Sequence, residues 1–287
     1  MRRVDSIAAM RELSRAWREQ SQRVGFVPTM GALHAGHLSL VQQAKRDGDV
    51  AVVSIFVNPL QFGPNEDFTR YPRDVEGDAR RLEGAGADVL FTTTPEEMYP
   101  PSFQTHVVPG TLAEPLCGAS RPGHFRGVTT VVAKLFHLVA PHQAYFGQKD
   151  FQQARVLQQM VDDLAFDLVL RILPTVREAD GLALSSRNRY LSADERAAAP
   201  ALQRALQVVR EEFDRGERSP ARLAATGRAK LAESAAFRLD YLDVRDDATL
   251  AIPERLVTGG VAAAAAFLGR TRLIDNVLLG DAVRRLG

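Results

Sequence analysis

A single cysteine, Cys117, leaves no partner for an intramolecular disulfide and no basis for a multi-cysteine metal site. It fits a reducing compartment and a packing role. An excess of charge of one sign is also missing: 36 Lys and Arg stand against 35 Asp and Glu, a formal net charge of +1. With one Trp and five Tyr to offer for base stacking, the chain has neither the field nor the aromatic surface of a nucleic-acid binder. No apolar run is long enough to cross a bilayer, so no membrane association is expected; Ala262 to Ala266, bounded by Gly259-Gly260 and Gly269-Arg270, reads as a buried strand. Arg2 and Arg3 are followed by Asp5, Arg11 and Glu12 where a signal peptide needs an apolar core, and Ser6 instead caps a helix with Ile7, Met10, Leu13 and Trp17 on one side. A cytoplasmic protein is expected. The G-x-x-x-x-G-K-[ST] signature is absent, which excludes a P-loop kinase. Lysine occurs only at positions 45, 134, 149 and 230, so each one merits weighing.

What is present is an alternation. Strand-like runs at 24–27, 50–57, 88–91, 143–146 and 167–173 are separated by helical patterns at about 38–46, 74–84, 127–139 and 151–163. That order predicts parallel strands with right-handed crossovers, a Rossmann-like doubly wound α/β sheet. Near Val176 the pattern changes to two helical stretches, roughly 193–213 and 219–234, then strands at 238–245, 261–268 and 271–279. Helices followed by strands predict a smaller C-terminal α+β domain, giving domains 1–175 and 176–287.

The most informative stretch is Pro28-Thr29-Met30-Gly31-Ala32-Leu33-His34-Ala35-Gly36-His37, between the first strand and its helix. A first βα turn places unpaired helix N–H groups and a positive dipole end where anions bind. His34 and His37 flank Gly36, whose missing side chain admits a phosphate or purine to the backbone, and each ring can donate to phosphoryl oxygens. A metal half-site is the rival reading of the His pair, disfavoured because no Cys or carboxylate lies near it in sequence.

Further motifs follow strands or open helices. Asn58-Pro59-Leu60-Gln61-Phe62 offers two amides suited to a small hydroxy acid, or is a polar turn. Asp74, Glu76 and Asp78 are a magnesium-ligand set or a solvated helix face. Arg121-Pro122-Gly123-His124-Phe125 is a flexible basic loop, and Lys134 on the next helix either reaches a site or snorkels to solvent. Gly147-Gln148-Lys149-Asp150-Phe151-Gln152-Gln153 puts Lys149 at a helix start, where a point charge suits phosphate oxygens, and Asp150 where it can cap. In Thr175 to Asn188, Ser185, Ser186 and Arg187 supply two hydroxyls and a permanent charge, a clamp for departing pyrophosphate.

These motifs, in this order, resemble the pantoate–β-alanine ligase family of the H-x-G-H nucleotidyltransferase superfamily. The resemblance implies ATP- and Mg²⁺-dependent condensation of (R)-pantoate with β-alanine through a pantoyl adenylate. It also implies a homodimer formed through the N-terminal domain, with the C-terminal domain closing over ATP. ATP contacts are implied for Pro28, Thr29, Met30, His34, Gly36, His37, Gly147, Lys149, Asp150, Val176, Leu184, Ser185, Ser186 and Arg187; catalysis for His34, His37, Lys149, Ser185, Ser186 and Arg187. Pantoate contacts are implied for Met30, Gln61, His124 and Gln153. The family's acidic pair falls on Gly77 and Asp78, leaving Asp78 as the metal ligand. Val107, Val108, Leu112 and Leu116 make the run from Thr105 to Cys117 more apolar than a loop, and its strand-like part is a candidate for pairing across a two-fold axis. Two other readings stand beside this one. An H-x-G-H enzyme that stops at nucleotidyl transfer is disfavoured by Asn58 to Phe62 and Gln153; a non-catalytic nucleotide sensor is disfavoured by the charged set His34, His37, Lys149 and Arg187.

Overall fold

Two sheets form among the residues described by the computed structural model, 1–64 and 66–282. In chain order the elements run β1 (Arg2–Val4), α1 (Ile7–Glu19), β2 (Val24–Thr29), α2 (Ala35–Arg46), β3 (Val50–Ile55), α3 (Val75–Ala85), β4 (Val89–Thr92), α4 (Pro95–Met98), α5 (Cys117–Ser120), α6 (His124–Val139), β5 (Gln143–Gly147), α7 (Phe151–Asp163) and β6 (Val169–Leu173), and the first sheet takes these six strands. All six strands are parallel, in the order β1-β4-β3-β2-β5-β6. The order reverses between β2 and β5, and ligands of such sheets bind outside the carboxyl ends of the strands at that switch point. This is the Rossmann-like doubly wound sheet expected from the alternation.

Its central strands are mostly apolar because helices cover both faces. Val41 of α2 and Leu82 of α3 pack in one buried cluster with Val27 and Val53 of the sheet. On the other face Phe26 meets Phe136 edge to face, and the Ser14 hydroxyl of α1 donates to the carbonyl of Leu138 on α6. Ser6 caps α1 by accepting from the Ala9 amide at 3.3 Å, as its position before an amphipathic run requires. The edge strand β1 is a difference from expectation: three residues are too few to show a period. The run after Thr105 is tied to α6 within the chain. Instead of a strand, its Val107 amide donates to the Thr130 hydroxyl of α6 at 3.1 Å, and its carbonyl accepts from Thr129 at 2.8 Å.

The remaining elements are α8 (Ala193–Ala198), α9 (Ala201–Asp214), α10 (Pro220–Ala232), β7 (Phe237–Arg245), β8 (Gly259–Leu268) and β9 (Thr271–Gly280), the strands forming an antiparallel β7-β8-β9 sheet. The single helix expected over 193–213 is two, because Pro200 has no N–H for the ladder. On β8 the alanines alternate: Ala262, Ala264 and Ala266 pack with Leu206, Val209 and Leu223 of the helices, while Val261 and Ala263 pack with Leu116, Phe151, Leu250 and Leu278. Burial on both faces explains why this strand is small and apolar at every position.

The chain divides into two compact units that are not simple halves: Met1–Gly110 with Arg121–Gly147 and Val156–Leu173, and Thr111–Ser120 with Gln148–Arg155 and Pro174–Gly287. No helix among the described residues is long and apolar enough to cross a membrane.

Candidate active site

The loop after β2 is held by its own backbone chemistry. The Thr29 hydroxyl donates to the Ser54 carbonyl on β3 at 2.7 Å and accepts from the Gly31 amide at 3.2 Å. Gly31 and Ala32 then turn with φ of +82° and +52°, the second uncommon for a residue with a Cβ. What secures that turn is Asp78 of α3, whose carboxylate accepts from the amides of Ala32 at 2.7 Å and Leu33 at 2.9 Å.

From there the chain enters α2 with His34 as its N-cap. His34 Nδ1 accepts from the Gly36 amide at 3.2 Å, and His37 Nδ1 accepts from the His34 amide at 3.4 Å, a capping box built from imidazoles. The rings lie 4.0 Å apart and tilted by 36°. Because each Nδ1 is an acceptor, the neutral ring carries its proton on Nε2. Two N–H donors thus sit at a helix N-terminus, where backbone amides and the dipole already favour an anion.

A second cluster follows β3. Asn58, 1% exposed, donates through Nδ2 to Gln61 Oε1 at 3.0 Å and to the Gly127 carbonyl at 3.1 Å. Its Oδ1 accepts from Leu60 N and from the Tyr99 hydroxyl. Of the two amides expected here, Asn58 is therefore the internal brace. Gln61, half-buried, is the one left at the surface of the cluster, its Nε2 on Met30 Sδ at 3.0 Å. Helix α6 approaches this turn so closely that a Cβ on Gly127 would run into the Leu60 carbonyl. Burial pushes the Tyr99 phenol well above its ordinary range, keeping it a protonated donor to Asn58.

His124 faces this cluster, with both ring nitrogens engaged. Nδ1 lies 2.9 Å from the Gln61 carbonyl and Nε2 3.0 Å from Arg121 Nη1, so the ring donates to the first and accepts from the second. It holds Gln61 rather than offering itself as a pantoate contact. Asp78 also differs from expectation. It is 1% exposed, both oxygens accept backbone amides, and Arg81 pairs with it at 3.0 Å. A cation needs carboxylate lone pairs and room for its water; three of about four acceptor sites on Asp78 are taken and the residue is shut off from solvent, so it fits a brace for the loop better than a metal ligand. Among the described residues no group of three or more His, Cys, Asp or Glu is placed to hold a metal ion.

The first unit thus contains Pro28, Thr29, Met30, His34, Gly36, His37, Gln61, Asp78, His124 and Gly147. Gly147 ends β5, the strand beside β2 at the switch point. The second unit contains Lys149, Asp150, Gln153, Val176, Leu184, Ser185, Ser186 and Arg187. Lys149 pairs with Asp150 at 3.0 Å in a 3₁₀ turn, and Asn276 of β9 fixes that turn by donating to the carbonyls of Gln148 and Lys149 at 2.9 Å each. Of the two adjacent glutamines, Gln152 is buried and supports the 112–117 segment through the Cys117 amide and the carbonyls of Leu112 and Pro115. Gln153 is only half-buried.

The 175–188 loop is a tied hairpin. Leu184 N donates to the Val176 carbonyl at 3.0 Å, Arg177 bridges Ala183, and the Arg177 guanidinium grips the buried Asp275 carboxylate at 2.6 and 2.9 Å. Ser185 caps the 3₁₀ turn Ser186–Tyr190 by accepting from the Arg187 amide at 3.3 Å. Sequence reasoning missed Asn58, Arg121, Gln152 and Asn276 as supports; only the doubled glutamine and the Arg three residues before His124 gave any signal.

A doubly wound sheet whose first βα loop caps its helix with the two histidines of H-x-G-H defines a nucleotidyltransferase of that class. The family model described as pantoate-beta-alanine ligase matches residues 2–278, and the chain belongs to this family. A pantothenate synthetase of Geobacter sulfurreducens is 53% identical over 281 residues, 98% of this chain and 99% of the relative. One from Thermotoga neapolitana is 51% identical over 280 residues, covering 98% and 100%. The crystal structure of pantothenate synthetase from Thermus thermophilus superposes with a TM-score of 0.91 at 48% identity, covering 96% of this chain and 99% of that one. That of the Francisella tularensis pantoate-beta-alanine ligase, complexed with beta-gamma ATP and beta-alanine, gives 0.78 at 34% identity and 97% of each chain.

Proposed function

We infer that the protein is the ATP-dependent ligase that joins pantoate to β-alanine, forming pantothenate. In the first step the pantoate carboxylate attacks the α-phosphate of ATP, giving pantoyl adenylate and pyrophosphate. In the second the β-alanine amine attacks the acyl carbon and AMP leaves. The substrate carboxylate is itself the nucleophile, so the protein has to place it and neutralise charge. The observation that carries this reading is the pair of Nε2–H donors fixed at the α2 N-terminus, in the loop whose Met30 touches Gln61.

On this reading His34 and His37 donate to the α-phosphate as charge builds there. Lys149, Ser185, Ser186 and Arg187 bind the β- and γ-phosphates; Pro28, Thr29, Gly36, Gly147, Asp150, Val176 and Leu184 bind the rest of ATP. Met30, Gln61 and Gln153 bind pantoate, with His124 acting through Gln61. Magnesium would come with ATP and offset the charge of its phosphates, with Asp78 left to brace the loop. The protein works in the cytoplasm as a homodimer formed through the N-terminal domain.

Incubation with ATP, Mg²⁺, pantoate and β-alanine tests the reaction: AMP, pyrophosphate and pantothenate should accumulate in equal amounts over many turnovers, and only with both acids present. Formation of ADP would refute it. Without β-alanine, rapid quench should trap pantoyl adenylate on the enzyme.

A further inference from the structure

Arg121 lies outside every substrate contact assigned above, yet it is tied more tightly than any other side chain of its loop. Its Nε and Nη2 reach the two carboxylate oxygens of Glu66 at 2.6 and 2.5 Å, a bidentate fork with both side chains at least three-quarters buried. The same Nη2 donates to the Gln61 carbonyl at 3.3 Å, and Nη1 donates to His124 Nε2 at 3.0 Å. His124 Nδ1–H donates in turn to that carbonyl at 2.9 Å. The Gln61 backbone is thereby gripped from the start of α6, while Asn58 and Met30 fix the side chain from below.

We propose that Glu66, Arg121 and His124 form a positioning latch that sets Gln61 for pantoate, so that Glu66 and Arg121 determine pantoate affinity without touching it. The latch rests on the reading of Gln61 as a pantoate contact. Its geometry supplies the mechanism. Glu66 comes from the turn after Phe62, with its amide bonded to the Gly63 carbonyl at 3.1 Å, whereas Arg121 and His124 come from the loop entering α6. Gly123, at φ +83°, reverses the chain between these two residues so that both side chains face Gln61. Loss of the fork frees the Glu66 turn, and with it the neighbouring Gln61 backbone, by the fractions of an ångström that an oriented amide does not tolerate.

The test is steady-state kinetics and thermal melting on Glu66→Gln, Arg121→Met, Arg121→Lys and the double variant, with Gln61→Ala as reference. Glu66→Gln and Arg121→Met should each raise the pantoate KM about tenfold, with ATP KM changed by less than about twofold while melting falls by only about a few degrees. Arg121→Lys should fall between them and wild type, since a lysine keeps the charge but not the planar fork. The double variant should match the worse single one, because the two residues form one contact. An unchanged pantoate KM in Glu66→Gln and Arg121→Met, beside a raised one in Gln61→Ala, overturns the latch alone. If both substrates weaken equally as melting falls, the fork is merely structural and the latch is also overturned. An unchanged pantoate KM in Gln61→Ala overturns the reading beneath it, and the latch with it.

Discussion

His34 and His37 each use one ring nitrogen to cap a helix and carry the proton on the other, so structure and chemistry are separable within a single side chain. His37→Gln exploits this. Glutamine at the third helical position accepts the N-cap amide just as His37 Nδ1 does, but its geometry cannot reproduce the Nε2–H. The expected outcome is an unchanged circular dichroism spectrum with adenylate formation slowed about 10²-fold or more, read by pyrophosphate release in rapid quench. Asp78 gives the opposite case. Asp78→Asn places an NH₂ against one of two backbone amides that both need acceptors, and costs about 1–3 kcal/mol of stability. Urea unfolding with magnesium and with chelator should show the same loss in both; a loss seen only with magnesium would restore Asp78 as a metal ligand.

At the scale of elements, the turn ending at Glu66 carries a titration with a definite sign. Burial raises the Glu66 carboxyl, but the hydrogen bond and charge of Arg121, the Gly63 backbone and His124 outweigh it, and the folded value lies below the ordinary 4.5. A lowered carboxyl contributes stability that is complete above the unfolded value and is lost as pH falls through the folded one. Urea midpoints of wild type and Glu66→Gln should therefore differ near pH 7 and converge as pH falls below the ordinary carboxylate range and through the lowered folded value. The elements themselves were largely legible from sequence. Alternation gave the doubly wound sheet, Ser6 gave the start of α1, and bounded alanines gave β8. The helices α4 and α5, four residues each, are too short to carry a period, and β1 failed for the same reason. In the site, a sequence cannot tell which of two nearby amides is buried, so Asn58 and Gln61 looked equivalent, and nothing marked Gln152 as a support beside Gln153. Asp78 braces a turn 46 residues away in sequence, and a carboxylate in the first turn of a helix looks the same whether it binds a cation or a pair of amides.

For the whole molecule, the proposed homodimer is tested by sedimentation equilibrium at micromolar concentration. A species of twice the chain mass is expected, and a monomer would defeat it. Val108 is 73% exposed in the segment that α6 holds through Thr129 and Thr130, so Val108→Asp should weaken association while leaving the protomer folded. The second unit has a different consequence, for synthesis. The face of β8 formed by Val261 and Ala263 is covered by Leu116 and Phe151, residues that leave the ribosome more than a hundred positions before it does. The first unit has all its pieces once Leu173 has emerged. Leu116 and Phe151 must wait, uncovered and sticky, until β8 has been made, which makes the nascent chain at that stage the form of this protein most in need of a chaperone.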